Sequence, residues 1–164
     1  MQDLNYTTHK VEIVPFKNEH AEFILSQELN ASELYLKPEH RKYALYLEQV
    51  GLSFTGLVNN KPIAAGGISM LWDGVAEGWV MATKDIWKHY IVFAKHFKKK
   101  TDVLIETTNL KRLQTTVKAD FKKGHRFAEW LGMKSEGIMK NYGPDGSDYI
   151  RYARIIKRWV FLEV

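Results

Sequence analysis

LSFTGLVNNKPIAAGGISMLWDGVAEGWVMAT, residues 52–83, is the stretch that decides the architecture. It holds three apolar, strand-like runs, Leu52 to Val58, Ile63 to Leu71 and Val75 to Thr83. Asn59-Asn60-Lys61-Pro62 separates the first two, and Asp73-Gly74 separates the second and third. Asp-Gly tolerates the left-handed backbone of a two-residue turn, so between apolar runs it signals a hairpin. The stretch therefore predicts an antiparallel meander.

Upstream, Val11, Ile13 and Pro15 alternate with polar residues and predict a first strand over 11–17. Asn18 is placed to cap a helix carrying Ala21, Ile24, Leu25 and Leu29 at helical spacing. Pro38 opens a second helix with Tyr43, Tyr46, Leu47 and Val50 on one face, which Gly51 ends. Downstream, Ile86, Tyr90, Phe93, Phe97, Thr101 and Leu104 form one stripe, predicting a long third helix over 86–107 that packs on the sheet. Leu113, Thr115 and Val117 predict a short strand, and Phe121 to Leu131 a fourth helix with Gly132 just past its end. Strands at 135–142 and 148–156 flank Gly143-Pro144-Asp145-Gly146, a tight connection. The expected fold is α/β (α+β): one domain over 1–164, a mixed, mostly antiparallel sheet of about seven strands, and four flanking helices. No linker, repeat or low-complexity segment divides the chain.

Of the 164 residues, 45% are apolar and 13% aromatic, enough to bury a core without metals or cross-links. The lack of cysteine excludes disulfides, thiolate metal sites and a thiol nucleophile. No run reaches the ~18 apolar residues of a membrane span, and the first residues do not read as a leader. The chain is thus expected to be soluble and cytoplasmic, with no membrane partner. A net charge of +5 would suit a polyanion or a phosphorylated cofactor. Its lysines, however, cluster at Lys95, Lys98, Lys99 and Lys100 and at Lys118, Lys122 and Lys123, mostly on amphipathic helices where a solvated face explains them. Nucleic acid is therefore not an expected partner. No His, Asp or Glu spacing resembles a metal site.

Two short stretches carry a family resemblance. Phe127-Ala128-Glu129-Trp130-Leu131-Gly132-Met133 resembles the Phe-Tyr-Glu-Lys-Leu-Gly-Phe segment that ends the penultimate helix in many GNAT (Gcn5-related N-acetyltransferase) proteins. With Gly143-Pro144-Asp145-Gly146 about ten residues on, it looks most like the small GNAT-like proteins of tailed phages. The element order is also that of the GNAT fold. The resemblance implies an acetyl-CoA-dependent N-acetyltransferase acting on a small-molecule or protein amine. Through the phage relatives it also implies an alternative, a non-catalytic protein of virion assembly or host interaction. Phage structural proteins would then be its partners, and the host cytoplasm or the virion its location.

In that family the fourth strand, here Val75 to Thr83, parts from the fifth, and its backbone holds the pantetheine arm. Backbone groups of Val80, Met81, Ala82 and Thr83 are the implied cofactor contacts, with Lys84 and Lys88 as the cations near the diphosphate. The family's glycine-rich loop is absent, since Met81 to His89 contains no glycine. Asp85 is expected to cap the following helix and to occupy its N–H groups with a carboxylate. The family's thiolate-protonating tyrosine falls at Ala128, which leaves Tyr142 on the closing hairpin as a substitute. Glu77, the one carboxylate within the fourth strand, is the candidate base, and His89 beside the loop is a second titratable candidate, ahead of His125. Trp79 and Trp130 are expected in the core, and Trp72 and Trp87 nearer a ligand edge, with Trp159 unassigned.

Overall fold

The computed structural model describes residues 11–27, 47–48 and 51–157. β2 (Ser53–Val58), β3 (Lys61–Trp72) and β4 (Val75–Ala82) form the expected meander, with Asp73-Gly74 as the second turn. β1 (Val11–Pro15) adds antiparallel to β2. β5 (Arg112–Lys118) follows, then β6 (Lys134–Met139) and β7 (Tyr149–Ile155). The order across the seven-stranded sheet is β1-β2-β3-β4-β5-β7-β6. Every neighbouring pair is antiparallel except β4 and β5. The described residues form a single α/β domain with a GNAT-like fold.

Three helices lie among the described residues, α1 (Asn18–Leu25), α2 (Ile86–Thr107) and α3 (Lys122–Trp130). The predicted helix over 38–50 falls outside the described residues apart from Leu47 and Glu48. Successive strand residues face opposite sides, and the two adjacent alanines of β3 divide the core accordingly. Ala64 joins Phe93, Phe97, Leu104, Leu113, Val117 and Ala128 under α2 and α3. Ala65 joins Met81, Phe16, Ala21 and Ile24 under α1.

α2 crosses the sheet at two cavities in its surface. The ring of Phe93 sits where a Cβ on Gly56 would be, and the ring of Phe97 where one on Gly66 would be. Each buried ring contributes about 2 to 3 kcal/mol. The expected stripe holds except at Tyr90, which stays 56% exposed because the first turns of α2 lie beside a gap in the sheet. α3 ends as expected: Gly132 has φ +84°, Met133 N–H donates to the Ala128 carbonyl and Gly132 N–H to that of Glu129. That pair of bonds is a Schellman motif, and only glycine takes its left-handed position without strain. Trp130, expected in the core, lies at the surface stacked on Phe127, the last turn having rotated it off the sheet.

The start of α1 also differs from expectation. Lys17, not Asn18, is the capping position, and Asn18 N–H donates to Glu48. His20 Nδ1 accepts the Lys17 N–H at 3.1 Å and lies 2.9 Å from Thr55 Oγ1. Burial holds the His20 pKa below its ordinary 6.5, with the Lys17 cation acting in the same direction. The folded state therefore binds fewer protons here than the unfolded chain, and this contribution is present above 6.5 and lost as pH falls below it. The melting temperature should decline as pH drops from about 7 to about 5, and His20→Gln should flatten that decline. An unchanged slope in the variant would remove His20 as the cause.

Candidate active site

β4 and β5 are parallel neighbours for three residue pairs only, Val75 with Arg112, Ala76 with Leu113 and Glu77 with Gln114. Beyond them the strands part. Gly78, at the vertex, has its carbonyl satisfied by the Thr115 hydroxyl at 2.8 Å. An antiparallel ladder alternates the side to which each residue's peptide groups point. Thr83 N–H donates to the Ile63 carbonyl and Gly78 C=O turns toward β5, so Met81 and Thr83 are committed to β3. Val80 and Ala82 therefore turn their N–H and C=O groups into the gap. Of the four backbone contacts expected from the sequence, these two face the opening. Met81 instead buries its side chain under α1. Thr83 is buried, and its hydroxyl has no partner among the described residues.

At the open end, β4 runs into the start of α2. Asp85 does not cap the helix with its side chain; its Oδ1 accepts Lys88 Nζ at 2.8 Å, which corrects the expected capping. The lysine three residues on offers a full charge, and that hydrogen bond, with the charge itself, lowers the Asp85 pKa. The helix N–H groups are satisfied differently. Those of Ile86, Trp87 and Lys88 turn back to the carbonyls of Thr83, Lys84 and Asp85. Without glycine this tight turn is the local solution, and it draws the N–H groups inward.

The opposite wall is β5 with the connection between β6 and β7. Since β5 is parallel to β4, its last residue, Lys118, lies at the open end, where Nζ meets Asp145 Oδ2 at 3.1 Å. Gly146 N–H donates to the Gly143 carbonyl, closing a turn with Pro144 and Asp145 at its centre. β6 ends at Met139, so Tyr142 stands in this connection and not on a strand, half exposed, its ring edge-on to Tyr149. Hydrogen bonds from Ser147 and from Lys118 hold Asp145 well below the usual carboxylate range. Across the mouth, Lys123 on α3 sets its ammonium 3.7 Å from the centre of the Trp87 ring on α2.

Glu77 is the last residue of β4 paired with β5, so its side chain sits at the vertex on the α1 face. Oε2 accepts Arg151 Nη1 at 3.0 Å and Gln114 Nε2 at 3.0 Å, and Oε1 accepts Arg151 Nη1 at 3.1 Å. Sequence reasoning missed Arg151 altogether. The partner is 74 residues away, and neither of the two arginines on β7 carries a local signal that points to Glu77. His89 lies half-buried in the first turns of α2, Glu77 on β4 where its pairing with β5 stops, and Tyr142 in the β6–β7 connection. His125, the other histidine considered, is structural: Nε2 contacts the Ala119 carbonyl and Nδ1 the Tyr152 hydroxyl, each at 3.0 Å. Trp79 is partly buried with its ring edge against Phe16, Trp72 is exposed at the hairpin turn, and Trp159 lies outside the described residues. Among the described residues no His, Asp or Glu group could hold a metal, and no helix is long and apolar enough to cross a membrane.

No family model and no curated protein sequence matches this one. The fold is matched among solved structures. The acetyltransferase of GNAT family from Streptococcus pneumoniae is similar at a TM-score of 0.69 and 14% identity, over 90% of this chain and 100% of that one. The ribosomal-protein-S18-alanine N-acetyltransferase from Escherichia coli is similar at 0.71 and 19%, over 94% and 99%. A ribosomal L7/L12 alpha-N-protein acetyltransferase in complex with coenzyme A is similar at 0.69 and 16%, over 92% and 96%. At these identities the likeness is one of fold.

Proposed function

We propose that this protein is an acetyl-CoA-dependent N-acetyltransferase acting on an amine. The observation that carries the reading is the parting of β4 from β5 after Glu77, which leaves the peptide groups of Val80 and Ala82 without a strand partner inside the sheet. An open strand edge of this kind presents unpaired N–H and C=O groups to an extended partner, and an amide-bearing arm is what fits. The solved structures of similar fold supply independent support, since one of them is named as a complex with coenzyme A.

Acetyl-CoA, as co-substrate, supplies the acetyl group activated as a thioester. The chain's own residues then have these roles. Val80 and Ala82 hold the extended arm and offer an N–H to the developing oxyanion. Glu77, at the vertex, takes a proton from the acceptor ammonium, and Tyr142, on the opposite wall, is the donor for the departing thiolate. Lys84 and Lys88 provide charge toward the diphosphate, in place of the inward-turned N–H groups of α2. His89, in the first turns of α2 beside that loop, is the second catalytic candidate after Glu77.

One feature favours a second, non-catalytic reading, in which the fold serves assembly or host interaction. The start of α2 has no glycine, and its first N–H groups are satisfied within the turn. Acetyl-CoA binding divides the two readings. A ligand at 100 times its Kd stabilises by about 2.7 kcal/mol, and each kcal/mol is worth about 2 to 4 °C for a domain of this length. Millimolar acetyl-CoA should therefore raise the melting temperature by roughly 5 to 10 °C, with free adenosine phosphates at equal ionic strength giving less. A melting curve that does not move would favour the non-catalytic reading.

A further inference from the structure

The side chain of Glu77 belongs to a chain of five that runs across four strands on the α1 face. Glu136 on β6 accepts both terminal nitrogens of Arg112 on β5. Arg112 Nε donates to Gln114 Oε1 at 2.7 Å, and Gln114 Nε2 donates to Glu77 Oε2 at 3.0 Å. Arg151 on β7 closes the series on Glu77 through Nη1 alone. The guanidinium of Arg112 is thus spent on Glu136 and Gln114, and both polar atoms of the Gln114 amide are used. Arg151 is different. Among the described residues its Nε and Nη2 have no hydrogen-bond partner, and neither atom is buried, so this edge reaches the surface. On Glu77, Oε2 already accepts two bonds and Oε1 only one, which leaves acceptor capacity on Oε1.

We propose that this vertex is the acceptor subsite and that it selects a zwitterionic free amino acid, with the ammonium on Glu77 Oε1 and the carboxylate on the outer edge of Arg151. The proposal rests on the acetyltransferase reading for its chemistry but not for its binding. Charge balance sets the substrate class. Two arginines and two glutamates sum to zero, so the network has no excess to offer a simple cation or a simple anion. A ligand bearing both charges suits it. Geometry sets the spacing. Glu77 and Arg151 are in contact at 3.0 Å, so the two charges they capture must also be close, as they are across the α-carbon of an amino acid. Arg151 is suited to the second task because its planar fork, held in place by Glu77, can meet a carboxylate with two parallel N–H groups. Its side chain is only 22% exposed, so little conformational freedom remains to be lost on binding. The location is also right for transfer. Arg151 pairs with Thr116 on β5, two residues beyond the last contact with β4, and its side chain reaches back over β5 to the point where the gap opens.

The test is calorimetric titration of the full chain, without acetyl-CoA, against each of the common L-amino acids. For whichever binds, the corresponding decarboxylated amine and deaminated acid are titrated too, along with a short peptide carrying that residue at its N-terminus. At least one amino acid should bind, and each half-molecule should bind at least about 10-fold more weakly, since each loses one charge-assisted contact. Arg151→Lys keeps a cation beside Glu77, and with it the fold, but loses the fork, so affinity should fall by about 10- to 100-fold with the melting temperature nearly unchanged. Arg151→Met should lose binding as well, and the lysine variant keeps the experiment readable if the methionine variant unfolds. The proposal is overturned if no amino acid binds, if the amine or the peptide binds as well as the amino acid, or if Arg151→Lys binds as wild type. An acetyl-CoA response with no amino-acid response sinks this proposal alone. The reverse result sinks the transfer reading and leaves the amino-acid site standing.

Discussion

Glu77→Gln is expected to lower acetyl transfer by about 10²- to 10⁴-fold while leaving acetyl-CoA affinity nearly intact. The amide has the shape of the carboxylate but cannot take up the ammonium proton, so the amine nitrogen keeps its lone pair occupied. The cofactor should not sense the change. Its proposed contacts are peptide groups of Val80 and Ala82, which lie in the plane of the sheet, whereas the Glu77 side chain stands off its α1 face. The substitution also releases Arg151 from a carboxylate partner that is itself 29% exposed. Some loss of stability will follow, and melting must be recorded beside the rate so that unfolding is not mistaken for lost chemistry. Thiol release that continues at the wild-type rate in a folded Glu77→Gln protein would take Glu77 out of the mechanism.

The largest effect on stability is expected at Gly67, where a side chain on β3 would run into the backbone leading into β2. A Cβ there would stand 2.3 Å from the Leu52 carbonyl oxygen and 2.6 Å from the Ser53 Cα. Both are backbone atoms and cannot rotate away. The strands would have to separate where Ile68 N–H donates to that same Leu52 carbonyl at 3.0 Å. Overpacking of this kind costs about 3 kcal/mol, so Gly67→Ala should melt roughly 6 to 12 °C below wild type. Gly78→Ala is the matched control. Its Cβ would meet only Leu113 Cδ1 at 3.5 Å and the Gln114 carbonyl at 3.7 Å, which are ordinary contacts. Equal melting temperatures for the two variants would show that strand approach at Gly67 is not limiting.

The elements themselves could be read from residues near one another in the chain. Asp73-Gly74 announced the β3–β4 hairpin, the Phe93, Phe97, Thr101 and Leu104 stripe announced α2, and Leu131-Gly132 announced the end of α3. Turn chemistry and apolar periodicity depend on neighbours a few positions away, and those neighbours are written in order. The site depended on distant ones. That β7 lies between β5 and β6 follows from sheet register, and with it the reach of Arg151 to Glu77 across 74 residues. The width of the gap is decided where the β4–β5 pairing stops, at Glu77 and Gln114, a point that no spacing marks. Asp85 looked like a helix cap because its residue type and position suit one, yet Lys88 offered a full charge in place of a backbone dipole. Local preference determined which elements form, and competition among partners brought together by the fold decided what each charged side chain holds.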